Sequence, residues 1–154
     1  QKGRKHILYI IRELIDFQPE SSTTDISMAL RYFTNVIKKR STAFIISDFI
    51  DDNLSQDALT IANRKHDLVA FQIYDRRDSE LPDVGLIKMK DAETGQRIWV
   101  DTSSRKVRMM YKNIWDERKL KLQQMISKAG VDSVSMEASE DYVKALMRLF
   151  KMRT

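Results

Sequence analysis

Thr42-Ala43-Phe44-Ile45-Ile46-Ser47 is a six-residue run that is apolar without alternation. Its β-branched and aromatic residues favour a strand, and the lack of a polar face is how a strand covered on both sides of a parallel sheet reads. A polar loop, Asp48-Phe49-Ile50-Asp51-Asp52, follows, and Leu54, Ala58, Ile61 and Ala62 then recur at helical spacing over about 54–65. A second β-rich run spans Leu68 to Tyr74. Strand, helix and strand at this spacing make a βαβ unit, whose crossover is right-handed.

Outward from this unit, two amphipathic helices are expected before it. Ile7, Ile10, Ile11, Leu14 and Ile15 form one stripe over 4–16, and Ile26, Ala29, Leu30, Phe33 and Ile37 another over 25–39. Thr24 or Asp25 serves as N-cap of the second. Downstream, residues 86–91 and 96–101 read as a hairpin around Ala92-Glu93-Thr94-Gly95. A long helix covers about 104–129 and stops at Gly130, a short strand runs from Val131 to Met136, and a last helix spans about 140–152. Val143, Leu146, Leu149 and Phe150 are expected to face inward from that helix. The fold class is α/β, a mainly parallel sheet flanked by helices with an inserted antiparallel hairpin.

A strand apolar on both faces needs neighbours on both sides, and few strands follow this one. Further strands upstream of Gln1 are therefore expected in the same sheet. Without them, an exposed sheet edge invites self-association. The chain opens Gln1-Lys2-Gly3 and reads as a fragment of something longer.

The 154 residues suit one domain, 1–154, and 42% hydrophobic content is enough for a core. With no cysteine, a disulfide scaffold, a cysteine-ligated metal centre and a thiol nucleophile are excluded. There is no apolar run of the ~18 residues that span a bilayer and no signal peptide, and the expectation is a cytoplasmic bacterial protein. The net charge is +5, but Ser104 to Lys128 holds eight basic and two acidic residues, +6, which leaves −1 for the rest. Any anionic partner is thus a matter for this one helix.

Three places carry possible chemistry. Asp48 and Asp75 each follow a strand, where ligand crevices of open α/β sheets lie. Asp48 alone reads as a divalent-metal ligand or as a cap of the following turn, with neither preferred. The two carboxylates together would suit a magnesium-dependent phosphohydrolase, but acids at strand ends are common in α/β proteins and Arg76 or Arg77 can pair with Asp75, so for the pair the structural reading is preferred. Hydroxyls followed by an acid, Ser21-Ser22-Thr23-Thr24-Asp25, are first of all a helix cap. The basic helix 104–129 offers a nucleic-acid surface in which Tyr111 and Trp115 would stack on bases, yet Val107, Tyr111, Ile114, Leu122 and Met125 share one face, which makes Tyr111 core. His6 and His66 have no partner at metal-ligand spacing and are expected at the surface.

The order of Lys2-Gly3-Arg4-Lys5-His6, Thr24-Asp25-Ile26, Ser47-Asp48-Phe49, Leu81-Pro82-Asp83-Val84-Gly85, Asp91-Ala92-Glu93-Thr94-Gly95 and Glu140-Asp141-Tyr142-Val143 resembles the bacterial family called domain of unknown function 58. That resemblance implies a von Willebrand factor A-like domain, here its C-terminal part. It implies a protein-interaction role beside MoxR-type AAA+ ATPases in complex assembly or chaperone-like work, rather than catalysis. A-type domains hold Mg²⁺ at a metal-ion-dependent adhesion site. By position Thr24 and Asp48 match two of its ligands, whereas the Asp-x-Ser-x-Ser motif has no counterpart in the chain. The metal site is therefore partial, no cofactor is expected of this chain alone, and Mg²⁺ belongs to a longer one.

Overall fold

The computed structural model describes residues 3–19, 23–90 and 95–153. The hairpin tip at 91–94 and the hydroxyls of Ser21 and Ser22 lie outside the described residues. The elements run α1 Arg4–Asp16, α2 Ile26–Val36, β1 Thr42–Ser47, α3 Gln56–Lys65, β2 Asp67–Tyr74, α4 Arg76–Ser79, β3 Leu86–Lys90, β4 Arg97–Asp101, α5 Arg105–Lys128, β5 Asp132–Glu137 and α6 Tyr142–Met152. The α/β class holds. A three-stranded parallel sheet has the order β1-β2-β5, and β3 and β4 form a separate antiparallel pair.

The doubly covered strand is β2. Leu68, Val69, Ala70 and Phe71 alternate between the two faces and all are buried. On one face, Leu68 and Ala70 pack with Ile26 and Leu30 of α2, Leu59 and Ala62 of α3, and Leu122 and Ile126 of α5. On the other, Val69 and Phe71 join Val134 and Met136 of β5 under Ala145 and Leu149 of α6.

β1 departs from the sequence expectation of burial on both sides. Ala43 and Ile45 pack into the first layer, but Phe44 and Ile46 are 47% and 67% exposed. The reason is geometric. β1 stands at the edge of the sheet, and α6 packs on the β5 side, which leaves the β1 strip of that face uncovered. α1 is amphipathic as expected, yet none of its residues is buried.

α6 turns differently from expectation as well: Leu149 is wholly buried and Ala145 nearly so, while Val143 and Phe150 are exposed. In α5 the inward positions are Trp115, Leu122 and Ile126, and Ile114 is exposed. Gly130 ends α5 at φ 67, the left-handed conformation that a glycine adopts without steric cost. Arg153 then clips the end of α6 to the amino ends of two strands, through Nε to Asp132 at 2.7 Å and a second nitrogen to Asp67. By accepting hydrogen bonds from it, Asp67 first and Asp132 second hold the pKa of its guanidinium above the ordinary value.

His66 corrects the expectation of two surface histidines. It is 1% exposed, its ring 4.5 Å from that of Phe33, and neither ring nitrogen has a hydrogen-bond partner among the described residues. It lies where α3 ends and the chain turns into β2, against α2, so its side chain is carried inside by the backbone path.

Candidate functional site at the carboxyl rim of the sheet

The loop after β1 is held by short-range caps. Ser47 Oγ accepts from the Phe49 amide at 3.0 Å, and Asp48 Oδ1 accepts from the Ile50 amide at 3.0 Å. Between them Phe49 adopts φ 59, the only positive φ of a non-glycine among the described residues, with its ring buried. That conformation is uncommon for a bulky side chain and persists only where the surroundings hold it. Gln72 of β2 donates to the Asp48 carbonyl at 3.2 Å and accepts from Ser135 of β5 at 2.8 Å, so all three strands position the loop.

The loop is also tied to α2. Asp51 Oδ2 accepts from the Ile26 amide at 2.8 Å, and its Oδ1 from the Asn53 amide at 2.8 Å. Buried Ser27 donates to the Asn53 carbonyl at 3.0 Å and accepts from the Ser55 amide at 2.8 Å. Asp25 caps α2 through the Met28 amide at 2.7 Å. These bonds bring the start of α2, with Thr24 two residues ahead of Ile26, against the loop that begins at Asp48. Sequence inspection missed Asp51 and Ser27 because their partners lie some 25 residues away, at distances no local pattern encodes. Asp51→Ala removes the side-chain acceptor of the Ile26 amide and a turn cap together. It is expected to lower stability by about 1–2 kcal/mol in urea unfolding. An unchanged midpoint would show that the loop is held by something else.

Asp75 sits at the next strand end and belongs to a capping box. Its Oδ1 accepts from the Arg77 amide at 2.7 Å, while Asp78 accepts from the Asp75 amide at 2.8 Å. The acid pair three residues apart was the available signal for α4, to which sequence inspection assigned no element. Asp48 and Asp75 are thus both engaged as caps. Thr24 and Asp48 supply two oxygen side chains, short of the near-octahedral set that Mg²⁺ demands. Among the described residues no group of three or more His, Asp or Glu is placed to hold a metal ion.

Beside this loop lies a groove of about 430 Å³, between Phe49–Leu54 and the α5 face that carries Arg118, Lys121, Leu122 and Met125. Asp51 and Asp52 line one wall, the two cations the other, and Arg118 reaches Asp52 at 3.9 Å. Further up α5, Arg108 pairs with Asp83 at 3.0 Å and Lys112 with Glu80 at 3.8 Å. Tyr111 donates to the Arg77 carbonyl at 3.0 Å, and burial, with Asp78 nearby, pushes its hydroxyl pKa up. Trp115 is buried with its ring 5.4 Å from that of Tyr74. Neither aromatic ring of α5 is presented for stacking on a base. At the foot of the hairpin the Ser103 side chain and amide hydrogen-bond Asp101 and hold its carboxyl below the ordinary value.

The family described as "Protein of unknown function DUF58" matches residues 1–120. The chain belongs to this DUF58 family. The match runs without a break from α1 to the first two thirds of α5 and leaves out β5 and α6. An uncharacterized protein of Mycobacterium avium is 26% identical over 131 residues, covering 84% of this chain and 76% of its own length. Uncharacterized proteins of Mycobacterium tuberculosis and Mycobacterium bovis are each 32% identical over 95 residues, 60% of this chain. The matched stretch spans 30% of the length of each of those two relatives. No solved structure matches. No described helix is long and apolar enough to cross a membrane.

Proposed function

We propose that this DUF58 chain is a non-enzymatic protein-interaction module that docks a partner at the carboxyl rim of its sheet. The observation that carries this reading is the loop of Asp48 to Leu54, tied to three strands and to α2, beside a groove with acids on one wall and cations on the other. A rigid concave rim of both charge signs is suited to a polar protein surface, since charge complementarity selects the partner and sets its orientation. The engagement of Asp48 and Asp75 as caps speaks against the phosphohydrolase alternative, which needs both carboxylates turned to one metal.

The resemblance to von Willebrand factor A-like domains supplies the partner: a MoxR-type AAA+ ATPase encoded beside the family. The test is calorimetry of this chain against such an ATPase. A complex is expected, and Arg118→Glu with Lys121→Glu is expected to weaken it at least tenfold, in line with two desolvated charges turned against a complementary surface. Unchanged affinity in the double variant would remove the groove from the interface. Mg²⁺ alone is expected to give no binding heat with this chain. Magnesium-dependent release of phosphate from p-nitrophenyl phosphate, lost in Asp48→Ala, would overturn the non-enzymatic reading.

A further inference from the structure

The α5 wall of the rim groove is one helical stripe. Arg118, Lys121, Leu122 and Met125 stand at i, i+3, i+4 and i+7, so they share a face of the helix. Leu122 is buried, while Met125 and, from the opposite wall, Leu54 are only partly covered where they pack on the first core layer. A thioether at such a place adapts to the shape of what covers it. The stripe thus has a cationic half and an apolar half. The charges of the groove are not equally available. Asp51 already accepts a backbone amide at each carboxylate oxygen, from Ile26 and from Asn53, both at 2.8 Å. Asp52 meets Arg118 at 3.9 Å between two exposed side chains, a weak contact that a closer carboxylate displaces. Lys121 has no ion-pair partner among the described residues. Ser104 to Lys128 carries +6, a field that draws acidic groups.

We infer that the groove takes an acidic amphipathic helix of a partner protein. Two carboxylates one turn apart meet Arg118 and Lys121, and an apolar side chain covers Leu54, Leu122 and Met125. The inference rests on the reading of this rim as a docking surface and adds the class of segment that it takes. A helix fits because its own i, i+3 and i+4 spacing repeats that of the α5 stripe, as when one helix lies in a groove beside another. The apolar contact holds the segment by leaving water, and the carboxylates set its register. A basic helix would meet Lys121 with like charge, and it would find Asp52 already turned to Arg118.

Randomised peptides of about 16 residues, long enough to form a helix, provide the probe. Displayed on phage, they are selected on the intact chain and counter-selected on the variant Arg118→Glu with Lys121→Glu, whose fold is checked by circular dichroism. The expected consensus has two Asp or Glu three or four residues apart, with Leu, Met or Phe on the same face. By fluorescence anisotropy the selected peptide is expected to lose at least tenfold in affinity for this variant. The same peptide with its two carboxylates changed to lysine is expected to regain it. Arg105→Glu with Lys106→Glu makes the same change of charge roughly 20 Å along the helix, beyond the screening length, and is expected to leave affinity within about twofold. Selection of basic peptides, of none that distinguishes the two chains, or an equal loss in the Arg105/Lys106 variant would overturn the inference. If the acidic peptide binds and the ATPase does not, this inference stands and the partner proposed above falls. If the ATPase binds through Arg118 and Lys121 while no acidic helix is selected, the docking role stands and this inference falls.

Discussion

Leu149→Ala is expected to lower the unfolding free energy by roughly 3–4 kcal/mol, within the range for a leucine truncated in a core that relaxes only partly. Leu149 has no exposed surface and packs with Val69, Phe71, Val134 and Met136 beneath α6. This layer is thinner than the one on the other face, since one helix covers it, and a cavity there has few neighbours to close it. Set against a typical total of about 5–15 kcal/mol, the loss is large. For a chain of this size it corresponds to a fall of roughly 10 °C in Tm. Urea unfolding should show a lower midpoint at unchanged slope. Met147→Ala, two residues away on the exposed side of the same helix, should stay within about 0.5 kcal/mol. Equal effects of the two substitutions would mean that α6 faces the sheet differently.

Asn63→Leu has the next largest expected effect, about 2–3 kcal/mol, because one side chain serves three backbone groups. Asn63 donates to the carbonyls of Ala129 and Gly130 at 3.2 and 2.7 Å and accepts from the Leu68 amide at 3.2 Å. It therefore joins the end of α3, the turn between α5 and β5, and the start of β2. Leucine has similar bulk but takes this partner from two carbonyls and one amide, of which the Ala129 carbonyl and the Leu68 amide are partly buried, and a polar group left unmet there costs more than the bond it replaces. The distinguishing measurement is hydrogen exchange at the Leu68 amide, which should quicken well beyond its β2 neighbours. A uniform change across the chain would show loss of global stability without a local role for Asn63.

Both substitutions act where sequence periodicity alone gives partial guidance. Leu149 was expected inside, and it is, but so were Val143 and Phe150, which are exposed. A helix stripe wide enough for four apolar residues meets a sheet too narrow to cover all of them. Asn63 carried no signal, because an asparagine near a helix end reads as an ordinary polar residue until its partners at Ala129 and Gly130 are in place. The candidate site divides in the same way. Asp48 and Asp75 were legible as strand-end acids, with a cap one of two open readings for Asp48 and an ion pair with Arg76 or Arg77 the structural reading for Asp75, whose capping box only the structure showed. The anchors that shape the rim, Asp51, Ser27 and Gln72, were not, because each acts on a distant segment.

Local pattern sufficed for the order of elements other than α4, the parallel βαβ unit, the hairpin, the stop at Gly130 and the amphipathic character of α1, since these depend on spacing and backbone preference over a few residues. Tertiary structure decided which strand lies in the middle. Phe44 and Ile46 are as apolar as Val69 and Phe71, and the runs around them read alike. Burial is conferred by neighbours, and β2 has a strand on each side and helices on both faces, while among the described residues β1 pairs with one strand. The same dependence on neighbours put His66 inside, turned Trp115 inward in place of Ile114 and left α1 uncovered. Apolar sequence states a demand for cover, and the packing of the whole chain determines where that demand is met.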